Sequence, residues 1–109
     1  MNKLNVILVA LVMSVTLMGC QKKTAAESFE TTKALAETGD AKAQFNLGRM
    51  YAKGEGVAEN DVQAYKWWNL AAAQENDSAK EFKELVEKNM TREQIAEAQK
   101  LSGEWKAKK

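Results

Sequence analysis

The sequence contains no histidine, and its single cysteine stands at position 20. Histidine is the commonest general base and a frequent metal ligand, so that chemistry is missing. One cysteine cannot form a disulfide within the chain. The sequence also has no Ser-x-x-Lys, no Gly-x-Ser-x-Gly, no phosphate-binding glycine loop and no cluster at metal-ligand spacing. We therefore predict no metal site, no cofactor and no enzyme, and a small hydrolase has no positive support.

Proline is absent as well, and neither sign of charge dominates. With 16 basic and 15 acidic side chains the net charge is +1, so the composition does not predict binding to nucleic acid. Alanine, lysine, glutamate and glutamine are abundant, and all four favour helix. A chain of 109 residues has room for one domain at most. We therefore predict a small all-α protein.

The longest apolar run lies at the start of the chain. Lys3 is followed by a mainly apolar segment from Leu4 to Met18, and Gly19 precedes Cys20. A basic start, an apolar segment of this length and a small residue at the cleavage site are typical of a secretory signal. Residues 1–19 are therefore predicted to be a signal peptide. An ordinary cleaved signal, or an uncleaved anchor with a cysteine there by chance, is the alternative.

The residues at the predicted cleavage site, L-M-G-C, resemble the bacterial lipobox. This resemblance implies that the Cys20 thiol carries a covalent lipid such as palmitate and that Cys20 becomes the first residue of the mature protein. In lipoproteins of this kind, Gln21 in place of aspartate favours export to the outer membrane. The implied location is the outer membrane of a Gram-negative bacterium, facing the periplasm. Residues 20–27 are predicted to be a lipidated polar tether.

Residues 39–76 contain two apolar patterns of helical period on either side of a glycine loop. The residues that share one face of the first helix are Ala43, Leu47, Met50 and Tyr51. Those that share one face of the second are Ala64, Trp67, Trp68, Ala71 and Ala72. Gly54 and Gly56 between them are typical of a helix end and a turn with positive φ. The stretch is therefore predicted to be an antiparallel helix pair.

This helix pair resembles a Sel-1-like repeat, an α/α relative of the tetratricopeptide repeat. The residues that carry the resemblance are Gly39, Ala43, Leu47, Gly48, Tyr51, Gly54, Gly56, Val57, Ala64, Trp67, Ala71 and Ala72. The sequence departs from the family pattern at Ala58, Asn60 and Glu75, where proline, aspartate and a closing glycine are usual. The resemblance implies a short tetratricopeptide-like α/α solenoid over residues 28–109. Its full repeat would lie at about 39–76, with capping helices at 28–38 and 77–106.

Local signals within this region predict helix ends and one close contact. Asn60 with Gln63, and Thr91 with Gln94, have the spacing of capping boxes that open helices. Gly48 lies inside the first helix of the repeat, where glycine is unfavourable compared with alanine. We therefore expect Gly48 to pack closely against a neighbouring helix.

The family resemblance implies a non-catalytic, protein-binding adaptor of the cell envelope, whose first repeat helix lines the binding face. The side chains expected to face a partner are Lys42, Gln44, Asn46, Arg49 and Lys53. For each of them, simple solvation of the helix is an equal alternative. A different function, binding of saccharide or peptidoglycan fragments, would use exposed Trp67 and Trp68 as an aromatic platform. From the helical spacing we expect one of the two tryptophans in the core and the other partly exposed.

One repeat between two caps is near the lower size limit for a self-sufficient solenoid. We therefore expect its open face to be sealed by the terminal helices, by an envelope protein partner, or by a second copy in a weak homo-oligomer. Contact with the membrane is expected through the acyl anchor.

Overall fold

The computed structural model describes residues 24–108, and every regular element within this range is an α-helix. The five helices are α1 (Ala25–Glu37), α2 (Ala41–Lys53), α3 (Asp61–Ala73), α4 (Asp77–Glu87) and α5 (Arg92–Glu104). Helix α3 is central, because it packs against α2, α4 and α5, while α1 packs against α2. The predicted all-α, short helical-repeat solenoid is confirmed. The predicted signal peptide, Cys20 and the start of the tether lie outside the described residues.

Each helix begins at a polar side chain that accepts a hydrogen bond from a backbone N–H of the first turn. These caps are Thr24, Asp40, Asn60, Asn76 and Thr91. The capping box predicted between Thr91 and Gln94 is confirmed by reciprocal bonds of 2.9 and 3.1 Å. The box predicted at Asn60 is only half formed. The Asn60 backbone N–H donates to the Tyr51 carbonyl at 2.9 Å and is therefore not available to the Gln63 side chain.

Helix α1 begins earlier than the sequence interpretation placed it. Thr24 and Glu27 form a complete capping box, with bonds of 3.1 and 3.3 Å, so the helix starts at Ala25 and not at Ser28. The Thr-x-x-Glu pattern is itself a recognisable start signal. The segment between Cys20 and the first helix is therefore shortened to residues 21–24.

Helix α3 divides the core into two clusters. Trp67 and Trp68 are consecutive, so they project about 100° apart on the helix and enter different clusters. The cluster around Trp67 also contains Phe29, Ala36, Ala43 and Leu47. The cluster around Trp68 also contains Ala64, Tyr65, Ala71, Ala79, Val86 and Ala98. The two adjacent tryptophans thus join the first two helices to the last two.

The close contact expected at Gly48 is confirmed. Gly48 is buried, and a methyl group on it would lie 2.6 Å from Cδ1 of Trp68 and 2.8 Å from its Cε2. Real side chains do not approach this closely, so only glycine lets the indole lie flat against α2. The indole Nε1–H donates to the Phe45 carbonyl at 3.0 Å. Helices α2 and α3 are therefore joined by a hydrogen bond beside this close contact.

Beyond α5 the chain turns back and reaches the end of α1. Trp105 has extended backbone angles, φ −71° and ψ 140°, and therefore ends the helix. Three residues later, the Lys108 N–H donates to the Glu37 carbonyl at 2.7 Å. We call residues 105–108 the strap. The strap connects the last helix to the first.

Candidate protein-interaction surface on helix α2

Helix α2 has one face in the core and another in solvent. Lys42, Asn46, Arg49 and Lys53 follow one another at intervals of four, three and four residues, which places them in one line along the helix. The three cationic side chains are exposed, and Asn46 is half-buried. We call these residues the α2 row. The structure thus brings together all but one of the side chains expected to face a partner.

The expectation that Gln44 faces a partner is wrong. Gln44 is fully buried, at 0% exposure, because it lies about 200° around the helix from Lys42. Its Nε2 donates to the Ala36 carbonyl at 3.2 Å, and its Oε1 accepts from Gln74 at 2.9 Å. Gln74 also donates to the Gly39 carbonyl at 2.9 Å. Gln44 therefore holds α1, α2 and the end of α3 together.

The residues at the two ends of α2 determine how long the row is. The Asp40 carboxylate accepts from the Ala43 N–H at 2.9 Å and opens the helix. Gly54 closes it with a left-handed backbone, φ 73° and ψ 38°, and its N–H donates to the Met50 carbonyl at 2.8 Å. Gly56 also has φ 73°, so the positive φ predicted for both loop glycines is confirmed.

Apolar groups lie beside the row. A cleft of about 260 Å³ is lined by Lys42 and Asn46 together with Leu35 of α1. Leu35 is 52% exposed, so its side chain is available for contact. Further along, the Arg49 guanidinium lies 6.0 Å from the centre of the Phe45 ring. This part of the surface was not predicted from the sequence.

The positive charge of the row has no partner within the described range. The ion pairs between residues 24 and 108 join Lys80 to Asp77 and Lys108 to Glu37, so neither involves the row. Three cations along one helix favour an acidic group from elsewhere. The Asp40 carboxylate, which lines the same cleft as Lys42, opposes this charge at the start of the helix.

The interpretation of Trp67 and Trp68 as an exposed platform is wrong, and so is the expectation that one of them is partly exposed. They are only 4% and 3% exposed. Trp67 is covered by Trp105, whose ring centre is 6.1 Å away, and by the Lys66 ammonium at 4.5 Å. Trp68 packs edge-to-face on Phe82, with ring centres 5.4 Å apart. Neither indole presents an open face to a saccharide.

A second cleft, of about 450 Å³, lies between α1 and α3 and contains Lys66 and Tyr51. Burial lowers the pKa of the Lys66 ammonium, and the nearby Glu37 carboxylate opposes this effect. Burial likewise raises the pKa of the Tyr51 hydroxyl, and the Glu30 and Glu37 carboxylates add to that rise. Glu37 is the only carboxylate among the lining residues, and it is paired with Lys108. The cleft therefore holds no free acid to work with Lys66.

Three further observations on residues 24–108 concern metal ligands, membrane spans and buried polar groups. No three His, Cys, Asp or Glu side chains there lie close enough to hold a metal ion. None of the helices in this range is long and apolar enough to cross a bilayer. Every buried side-chain nitrogen and oxygen in it has a hydrogen-bond partner. The folded region thus aims no unpaired buried group at a small ligand.

Short helices that stack one after another define a class of protein, the short helical-repeat solenoid. Comparison with known sequences makes this class more specific. Residues 41–76 match the family model of the Sel1 repeat, close to the predicted range of 39–76. The resemblance to a Sel-1-like repeat is therefore confirmed for this part of the chain. Sel1 repeats in general mediate protein–protein interactions.

Two similar proteins extend this comparison. A sel1-like repeat-containing protein of Acanthamoeba polyphaga mimivirus is 46% identical over 47 residues, which is 43% of this chain and 8% of that protein. A protective antigen present in uropathogenic Escherichia coli strains, whose crystal structure displays an SLR fold, has a TM-score of 0.74 and 30% identity. The match covers 77% of this chain and 18% of the antigen chain. This chain thus spans less than a fifth of either protein.

Proposed function

We propose that this chain is a non-catalytic protein-interaction module of the bacterial cell envelope, held at the membrane by a lipid on Cys20. The α2 row is the observation that carries the proposal. It presents three cations on a helix whose other face is locked into the core, and the apolar side chains of Leu35 on α1 and Phe45 on α2 lie beside it. The partner that fits is an acidic segment of an envelope protein, with an apolar side chain to pack on Leu35.

The packing of α2 supports a binding role for the row. Leu47 on the opposite face is fully buried, and Gly48 lies directly against Trp68. The row is therefore fixed in space before a partner arrives, and little backbone entropy is lost on binding. The cationic side chains give specificity and fast association, while Leu35 and Phe45 supply apolar area.

The anchor part of the proposal rests on the sequence. The apolar leader and L-M-G-C support lipidation of Cys20, and Gln21 supports the outer membrane as the destination. Since α1 begins at Ala25, the residues from Cys20 to the helix reach about 17 Å when fully extended. A lipid on Cys20 would therefore keep the module within roughly one to two helix diameters of the bilayer surface.

The experiment is site-specific photo-crosslinking of the full chain in cells that produce it. A photoreactive residue replaces Asn46 within the row or, as the matched control, the exposed Glu97 on α5. We expect one envelope protein to crosslink at position 46 and not at position 97. Reversing the row with Lys42→Glu, Arg49→Glu and Lys53→Glu should reduce that crosslink about tenfold or more. Reversing the exposed Lys88, Arg92 and Lys100 should leave it unchanged.

The outcomes separate the surface from the anchor. Equal crosslinking at both positions, or a crosslink insensitive to reversal of the row, would rule out the α2 row as the binding surface. Cys20→Ser with the row intact tests the anchor alone. Loss of the crosslink in this variant shows that binding needs membrane attachment, whereas an unchanged crosslink limits the lipid to determining location.

A further inference from the structure

The cleft of about 450 Å³ between α1 and α3 has two lysines in its wall, Lys33 of α1 and Lys66 of α3. Both are half-buried, whereas lysine is mostly exposed in proteins. Within the described range, the lysine side chains that have a hydrogen-bond or ion-pair partner are Lys80, Lys83 and Lys108. The ammonium groups of Lys33 and Lys66 therefore hold donors that no acceptor in the folded region uses.

Lys66 is positioned where a ligand can reach it. Its ammonium lies 4.5 Å from the centre of the Trp67 ring, which attracts the cation but accepts no ordinary hydrogen bond. Every fully buried side-chain nitrogen in residues 24–108 has a hydrogen-bond partner, so the unpartnered Lys66 nitrogen is open to solvent. Burial of the side chain lowers the pKa of Lys66, Glu37 opposes this effect, and the Lys33 cation adds to it. The charge is thus held in place without being neutralised.

The acidic side chains near the cleft leave an excess of positive charge. Glu37 is the carboxylate among the lining residues, and it is already paired with Lys108. Glu30, three residues before Lys33 on α1, is exposed and does not line the cleft, although its charge reaches the Tyr51 hydroxyl. Two lysines without a partner thus stand against one carboxylate at the rim. This balance favours an anionic ligand.

The rest of the wall suits an organic molecule better than a bare ion. Tyr51, Asn60 and Gln63 line it with hydroxyl and amide groups that donate or accept hydrogen bonds. Trp105 is half-buried and adds an aromatic surface. A few convergent polar groups beside apolar surface, in a cleft of roughly 300–1,000 Å³, are the usual features of a small-molecule site.

We propose that the cleft between α1 and α3 binds a small organic carboxylate, with its anionic group at Lys33 and Lys66 and its apolar part against Trp105. A carboxylate accepts charge-assisted hydrogen bonds from both ammonium groups and removes the need for them to share the cleft as unpaired cations. No residue of the α2 row lines this cleft. The proposal therefore goes beyond the proposed function and does not depend on it.

The first test compares probes that differ in charge or in apolar area. N-acetylphenylalanine, its uncharged amide and acetate are titrated into the isotope-labelled full chain in non-ionic detergent. Nuclear magnetic resonance follows the Trp105 indole N–H and the backbone amides of Gln63 and Lys66. We expect N-acetylphenylalanine to shift these signals saturably, with a Kd on the order of 1 mM, as is usual for a ligand of this size.

The two other probes identify which part of the ligand is recognised. The uncharged amide and acetate should each bind about tenfold more weakly than N-acetylphenylalanine, because one lacks the anionic group and the other the apolar part. Equal binding of the amide would overturn the proposal, since the lysines would then not select an anion. Equal binding of acetate would overturn it as well, since the cleft would then hold a bare anion only.

Variants assign the binding to the two lysines. Lys33→Gln and Lys66→Gln should each weaken binding of N-acetylphenylalanine about tenfold and leave that of the amide unchanged, whereas Lys66→Arg should retain it. Lys83→Gln is the matched control. Lys83 is also half-buried and lies 5.8 Å from the centre of the Tyr65 ring, but it donates to Asn69 at 3.3 Å and lies outside the cleft. Circular dichroism checks that each variant is folded. Signals that do not saturate, or an affinity unchanged in both glutamine variants of the cleft, would refute the proposal.

Discussion

Among residues 24–108, Glu75 is the only residue other than glycine whose backbone is left-handed, at φ 67°. It stands after α3, where the family pattern has its closing glycine. The Glu75 N–H donates to the Ala72 carbonyl at 2.9 Å and the Asn76 N–H to the Ala71 carbonyl at 3.2 Å. This pair of bonds is a Schellman motif, which requires a left-handed residue at this place. The chain thus keeps the geometry of a glycine turn and strains a side-chain-bearing residue by about 1 kcal/mol.

Replacing Glu75 with glycine should therefore stabilise the fold. We expect Glu75→Gly to raise the free energy of unfolding by about 0.5–1 kcal/mol, since relief of strain outweighs the added freedom of the unfolded chain. Urea denaturation measures the change as a higher midpoint at constant slope.

Glu75→Gln controls for the lost charge and should change little. Glu81→Gly, in the exposed middle of α4, should destabilise by about 1 kcal/mol. A stabilisation by Glu75→Gln equal to that by Glu75→Gly would assign the effect to charge.

Gln44 shows which single residues the sequence does and does not reveal. The family resemblance placed it with Lys42 and Asn46, but helical spacing alone contradicts that grouping. Gln44 lies next to Ala43 and three residues before Leu47, both in the core. Periodicity could therefore have assigned it to the buried face. Its hydrogen bonds to Ala36 and Gln74 could not have been predicted, because they depend on how three helices meet.

At the scale of the elements, the crossing of α2 and α3 depends on Gly48. Alanine at this position should destabilise the protein by about 2 kcal/mol, although alanine is the better helix former. The added methyl group overlaps the buried Trp68 indole and threatens its hydrogen bond to the Phe45 carbonyl. Chemical denaturation together with near-ultraviolet circular dichroism follows both the stability and the tryptophan environment.

A second substitution distinguishes overlap from a general effect of changing α2. Trp68→Phe removes the part of the indole that the new methyl group meets, so the penalty of Gly48→Ala should become clearly smaller in the Trp68→Phe background. A penalty of the same size in both backgrounds would show that the two side chains do not interact.

The helices themselves were largely predictable, because their signals are local. The pattern of residues 39–76, the cap at Thr91 and the glycines of the loop all follow from periodicity and turn chemistry. The two local failures have different causes, one a local signal that was missed and the other a contact made across the loop. Thr24 with Glu27 opens α1 inside the expected tether, and the Asn60 N–H is taken by Tyr51, which is a neighbour only after the loop has folded.

At the scale of the whole molecule, the strap could not be predicted. Helical spacing assigns Trp105 to the apolar seam of the last helix, yet the structure places it in the extended segment that follows α5. Lys108, which follows the last helix, contacts Glu37 at the end of the first. No local sequence pattern predicts a contact between residues so far apart in the chain. A solenoid normally transmits stability only between neighbouring repeats. The strap adds a direct connection between the first helix and the last.

This connection predicts a long-range effect of a change at the C-terminus. Trp105→Ala should lower the free energy of unfolding by about 1–2 kcal/mol, since it uncovers Trp67 and loosens the strap. Hydrogen exchange should become faster in the last turn of α1, around Glu37, as well as in α5. Lys106→Ala, in the exposed middle of the strap, is the matched control and should leave both helices protected. Faster exchange confined to α5 and the strap would show that the two ends are independent, and the molecule would then behave as a simple stack of helices.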